Sequence, residues 1–115
     1  MKRLATAQVI EVVDGDTMHS MLDIGWGVVL RPRGKHGGSG TIRVVHPDGR
    51  PFDAPERKSD RGKEARHLVR QFVRPGELLE IVSHGLDDFG RTLGSVTWTN
   101  GEDWATTLTA LGLTK

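Results

Sequence analysis

Two short acidic runs, Asp14-Gly15-Asp16-Thr17 and Asp53-Ala54-Pro55-Glu56, hold the side chains best suited to chemistry. The first closes a strand-like stretch (Val9, Ile10, Val12, Val13) and the second precedes a helix-like one, so neither falls on the apolar face of an element. Three or four carboxylates are therefore free to converge. Carboxylates gathered at neutral pH repel one another unless a cation sits between them, and a donor set made only of oxygen suits calcium or magnesium rather than zinc. A divalent metal site is the first expectation. The five histidines (His19, His36, His46, His67, His84) lack metal-ligand spacing and read as surface or loop residues.

The elements that must position these runs follow from periodicity. Residues 7 to 13 and 17 to 24 are Val-, Ile- and Met-rich and predict two strands meeting at the Asp-Gly-Asp turn. Val28 to Arg31 and Thr41 to Val45 predict a second pair of strands. The loop between them carries Gly34, Gly37, Gly38 and Gly40 and is expected to be mobile. Pro47-Asp48-Gly49 marks a turn. Ser59 or Asp60 can cap a helix with Ala65, Leu68, Val69 and Phe72 on its apolar face and Lys63, Arg66, Arg70 and Arg74 on the other, ended by Pro75-Gly76. Strands are expected from Leu78 to Val82 and from Leu93 to Thr99. After the Asn100-Gly101 turn comes a short helix with Trp104, Leu108 and Leu111 on one side. Trp26, Trp98 and Trp104 are expected to pack in the core, and Phe89 to anchor a loop. About five strands with one inserted and one terminal helix fit a small closed barrel, mainly β, in which closure uses up the strand edges.

With 115 residues and 36% hydrophobic content, a single domain over residues 1–115 is expected. The chain has no Cys, which excludes disulfides and thiolate zinc sites. Two basic residues near the start are not followed by an apolar run of signal length, and nowhere do about twenty apolar residues run together. Neither export nor membrane insertion is expected, and the cytoplasm is the default. The net charge of +1 conceals an uneven distribution. Residues 31 to 74 hold 12 of the 16 Lys and Arg and 5 of the 15 Asp and Glu, a local balance of +7 against −6 for the rest. A segment so charged can attract a polyanion.

Asp14-Gly15-Asp16-Thr17, an arginine strand, Asp53-Ala54-Pro55-Glu56 and Asp88-Phe89-Gly90-Arg91, in that order, resemble the staphylococcal nuclease (thermonuclease-like) family from about Ala5 onward. The resemblance implies a five-stranded OB-fold barrel. Family members commonly add a third C-terminal helix, whereas this chain stops at Lys115, so low stability or a partner covering that end is expected. It further implies Asp16, Asp53 and the Ala54 carbonyl as metal ligands, Glu56 as general base, and Arg91 as a phosphate clamp. Asp14 is then a group that holds the turn or a bound water. Arg43 becomes the second clamp if His46 to Arg50 is an inserted turn; Arg31, Arg33 and Arg50 are its rivals. Arginine suits the task because its planar fork donates two hydrogen bonds to phosphate and never loses its charge.

The expected function is a calcium-dependent nuclease, with magnesium a weaker candidate, hydrolysing DNA and RNA with little sequence preference. The alternative is a barrel that binds nucleic acid or a protein partner without cutting, against which the intact carboxylates argue. A third, weaker reading is an assembly protein of a phage or mobile element.

Overall fold

Burial alternates along the first strand: Ala7 and Val9 point inward while Gln8 and Ile10 do not. A bulge at Ile10 then shifts the phase, so that Val12 rather than Glu11 turns into the core. The computed structural model describes residues 3–115; Met1 and Lys2, which open the segment judged against an export signal, lie outside the described residues. Strand β1 (Arg3–Asp14) makes an antiparallel hairpin with β2 (Thr17–Asp23), Asp14 facing Thr17 across the expected turn. Next come β3 (Val29–Leu30), β4 (Thr41–Val44), α1 (Asp60–Phe72), β5 (Leu78–Leu86), β6 (Thr92–Thr97) and α2 (Trp104–Ala110).

The sheet runs β1-β5-β6-β4-β2 and closes through the β1–β2 pairing into a five-stranded mixed barrel of OB-fold-like form, β4 and β6 being its one parallel pair among the described residues. Mainly β structure with two helices and a closed small barrel was the expectation, and it holds. The interior is filled by Met18, Leu22, Ile42, Ile81 and Val96, with Ala65 and Val69 of α1 and Trp104 and Leu108 of α2 packed on the same cluster. No helix among the described residues is long and apolar enough to cross a membrane.

Four expectations need correction. The short strand β3 pairs with the end of β2, not with β4, whose own neighbours are β2 and β6. Trp26 is fully exposed at the tip of the β2–β3 connection, whereas Trp98 and Trp104 are buried. Leu111 is exposed and Leu113 takes the buried place, because α2 ends before Leu111 and the chain turns back through Gly112. The glycine-rich loop is tied down rather than loose. Arg33 and Gly37 exchange backbone hydrogen bonds, Gly40 donates to the Arg31 carbonyl, and a methyl group at Gly38 or Gly40 would collide with the backbone of residues 31 to 33. The glycines allow close backbone approach, which sequence composition does not distinguish from freedom.

Helix α1 is capped by Ser59, whose hydroxyl accepts from Gly62 N at 3.0 Å, and Asp60 sits where the helix dipole favours an anion. Gly62 lies inside this helix because a methyl group there would collide with the Glu56 carbonyl. In an open helix Gly→Ala adds about 1 kcal/mol. Here the sign should reverse: Gly62→Ala is expected to destabilise by about 1–3 kcal/mol, the range for overpacking, measured by urea unfolding. A higher unfolding midpoint would show that the contact relaxes without cost.

Candidate active site

The two acidic runs meet because the first turn has no side chain at its apex. A methyl group on Gly15 would come within 2.7 Å of the Ala54 Cβ and 3.0 Å of the Ala65 Cβ. The turn thus lies directly on the second run and on α1. Trp104 Nε1 donates to the Gly15 carbonyl at 2.8 Å, Ala54 N donates to Asp16 Oδ2 at 3.0 Å, and Lys115 N donates to the Asp53 carbonyl at 2.9 Å. Residues far apart in sequence are fixed here by backbone groups.

Arg43 joins the carboxylates. It stands on β4 opposite Thr17, its Nη1 3.2 Å from Asp16 Oδ2 and its Nη2 2.5 Å from Asp53 Oδ1, and Nη1 also donates to the Phe52 carbonyl at 2.9 Å. Residues His46 to Arg50 form a turn: Val45 pairs with Pro51, His46 N donates to the Arg50 carbonyl, and Gly49 N donates to the His46 carbonyl. That reversal returns the chain so that Phe52 and Asp53 lie beside β4. Of the rival arginines, Arg50 is paired with Asp48 on the exposed turn, and Arg31 and Arg33 stand on the glycine-rich loop.

Asp16 carries the strain of this assembly. Its side chain is only 14% exposed. Burial, a hydrogen bond to the Asp14 carboxyl and the Asp14 charge push its pKa up from 3.8 to about 6, against the pull of Arg43 and the Ala54 amide. Thr17 Oγ1 donates to Asp16 Oδ1, and Asp14 Oδ1 accepts from Asp16 N.

Arg91 is set by a neighbour that the motif as read from Asp88 misses. Asp87 Oδ1 accepts from both Phe89 N and Arg91 N, and Oδ2 accepts from Arg91 Nε at 2.6 Å. Burial tends to raise the Asp87 pKa, but the Arg91 and Phe89 hydrogen bonds and the Arg91 charge outweigh it and leave it below the ordinary value. An Asp two residues before one amide and four before another is the Asx-turn signal that identifies it. Only Nε of Arg91 is engaged by this pairing. Since Arg43 lies opposite Leu93 in the parallel pair, Arg91 sits two residues earlier on the same face. Arg43 and Arg91 line one cavity of about 270 Å³ with Phe52, Asp87 and Phe89.

Glu56 is exposed, and among the described residues its carboxylate has no hydrogen bond or ion pair; its carbonyl accepts from Ser59 N and Oγ. Asp16, Arg43, Asp53 and Ala54 are therefore linked by direct contacts, Arg91 shares a cavity with Arg43 that Asp16 and Asp53 do not line, and Glu56 stands at the surface two residues beyond Ala54. Among the described residues no three Asp, Glu or His side chains group around a common centre. His19 is buried instead of lying at the surface, bonded through Nδ1 to Thr41 Oγ1 and through Nε2 to the Lys35 carbonyl. Phe89, expected as a loop anchor, is 74% exposed beside Arg91.

The chain matches no protein-family model, and no curated protein matches its sequence.

The raised pKa has a testable sign. A carboxyl whose folded pKa exceeds its unfolded one adds stability fully present below pH 3.8 and lost as pH rises through about 6. In chelator, Asp16→Asn should escape that loss. Its stability relative to the parent is expected to grow by about 2 kcal/mol between pH 4 and pH 8, from the part of the shift titrated in that range at about 1.4 kcal/mol per unit, as read by urea unfolding at each pH. A difference flat across that range would remove the assigned burial of charge.

Proposed function

We propose that the chain is a metal-dependent nuclease of the thermonuclease type, calcium being the preferred cation, which hydrolyses phosphodiesters in DNA and RNA. The observation that carries this reading is Arg43 held between Asp16 and Asp53 in a cleft it shares with Arg91. The order of the four sequence motifs supports it independently. Two guanidinium groups on one face of adjacent strands suit a phosphodiester, whose two free oxygens accept from planar forks.

The donor set fits a hard cation. Asp16 and Asp53 both contact Arg43 and Asp14 lies against Asp16, while burial, helped by Asp14, makes Asp16 hold its proton more tightly than an ordinary carboxyl. Asp16, Asp53 and the Ala54 carbonyl would hold the ion, with water completing the shell as is usual for calcium and magnesium. Bound there, a divalent cation supplies charge neutralisation and a more acidic water. The remaining tasks belong to the chain. Arg91, oriented by Asp87, offers its Nη groups to the phosphate. Arg43 adds a second positive charge on the same face of the cavity. Glu56, exposed and without a protein partner, is free to accept the proton of the attacking water. Contacts to phosphate rather than to base edges give little sequence preference.

A second reading, a barrel that binds nucleic acid without cutting it, is favoured by one observation: Arg43 is engaged by two carboxylates. Incubation with single- and double-stranded DNA and with RNA, in calcium or in chelator, separates the two. The nuclease should cleave only with the cation. Glu56→Gln should slow cleavage by about 10²–10⁴-fold, the span for a lost general base, and Arg91→Gln by about 10²–10³-fold, as for a lost charge-stabilising donor. Salt-dependent binding without cleavage in either condition would establish the binder instead.

A further inference from the structure

The glycine-rich loop is fastened to the same two strands that present the cleft arginines. Thr41 Oγ1, two residues before Arg43, donates to the Gly37 carbonyl at 2.7 Å, and Thr92 Oγ1, next to Arg91, donates to the Ser39 carbonyl at 2.6 Å. Ser20 Oγ donates to the Gly40 carbonyl, and His19 Nε2 lies 3.0 Å from the Lys35 carbonyl. All four anchoring side chains are buried. Buried hydroxyls spent on loop carbonyls hold the loop at a fixed distance from Arg43 and Arg91.

What the loop displays on this mount is positive charge. Arg31 and Arg33 are exposed, and among the described residues neither guanidinium has a hydrogen bond or an acidic partner. They line a second cavity of about 480 Å³ with Pro32, Ser39 and Phe89. Phe89 also lines the cavity of Arg43 and Arg91, so the two hollows adjoin at its exposed ring. The order across the surface is guanidinium pair, apolar wall, guanidinium pair. A polynucleotide has the complementary order: phosphate, sugar and base, phosphate.

We infer that Arg31 and Arg33 form a phosphate subsite for the nucleic-acid strand beyond the phosphate held by Arg43 and Arg91. The inference rests on the nucleic-acid reading above and names where the substrate continues. Because the loop is already ordered, little conformational entropy is lost when the strand seats. The subsite therefore acts on affinity and leaves the chemical step alone.

The test is the double variant Arg31→Gln with Arg33→Gln, compared with Lys63→Gln with Arg74→Gln, which removes the same charge from exposed positions on and just after α1. Binding of a fluorescent single-stranded oligonucleotide is read by anisotropy across a salt series in chelator. Cleavage of that oligonucleotide and of a nitrophenyl ester of one nucleotide is read in calcium. The loop variant should bind the oligonucleotide roughly 10-fold or more weakly, with a salt slope shallower by about 1.4, the counterion release of two single-strand phosphates. Its KM for the oligonucleotide should rise while kcat and turnover of the single-nucleotide ester stay at the parent's values. Equal losses in both double variants would reduce the effect to net charge and overturn the subsite, with the nuclease reading intact. A parent protein that neither binds nor cleaves the oligonucleotide overturns both.

Discussion

The guanidinium of Arg43 between Asp16 and Asp53 is the contact on which the cleft depends. Asp16 is mostly buried with a second carboxyl beside it, an arrangement that is unfavourable without a neighbouring cation. Arg43 meets the need from β4 and reaches one oxygen on each carboxylate as well as the backbone carbonyls of Phe52, Asp16 and Val44. A lysine could not do so, since its ammonium is a compact point charge without the planar fork. The compensation is incomplete, because two carboxylates share this single guanidinium and Asp14 lies against Asp16. The buried charge on Asp16 can be relieved by a proton, toward which burial and Asp14 push its pKa, or by a cation. Under the proposed function these are competing occupants of one electrostatic deficit.

The scaffold makes this contact possible through one short strand. Four residues long, β4 pairs antiparallel with β2 and parallel with β6. The β2 register sets Arg43 against the Asp-Gly-Asp turn, and the β6 register sets it on the face of Arg91. Closure of the barrel leaves β4 no freedom to slip, because a shift of one residue would turn Ile42 and Val44 outward and Arg43 into the core. Gly15 then lets the turn approach Ala54 and Ala65, and Gly62 lets α1 begin hard against Glu56.

Features that depend on neighbours in sequence were legible before the structure: the hairpin at Asp14 to Thr17, the Ser59 cap, the turn at His46 to Arg50, and the barrel class. Features that depend on distant partners were not. The partners of β4 lie on strands more than twenty residues away in sequence, and nothing in Thr41 to Val44 names them. The loop from Arg31 to Gly40 reads as flexible because composition reports what glycine permits, whereas its order comes from Thr41, Thr92, Ser20 and His19 on other elements. Leu111 is exposed and Leu113 buried because the helix ends at Ala110, one residue before the position that apolar spacing assigned to its buried side. At the cleft, the acidic runs and Arg91 stood out by residue type. Asp87 did not, since its role lies in a turn geometry and not in its own reactivity.

The two cleft arginines are poised differently, and the difference has a consequence for how such a site would engage phosphate. Arg91 spends Nε on Asp87 and lines the cavity, its guanidinium lying over the Phe89 ring. Arg43 is bound by Asp16 and Asp53 through both Nη atoms. A phosphate entering the cavity meets one available fork and one that must first loosen its carboxylates. Positive charge delivered to Asp16 and Asp53 weakens their hold on Arg43 in proportion to the charge it cancels, so occupancy of the acidic pair and availability of the second arginine are coupled by Coulomb's law. The coupling distinguishes a proton from a divalent ion by magnitude. A proton cancels one charge on Asp16 and leaves Asp53 in place, whereas an ion shared by both competes at both ends of the guanidinium. Under the proposed function, phosphate grip by the pair should therefore respond far more to the ion than to acid, and this asymmetry lies in the placement of Arg43 itself.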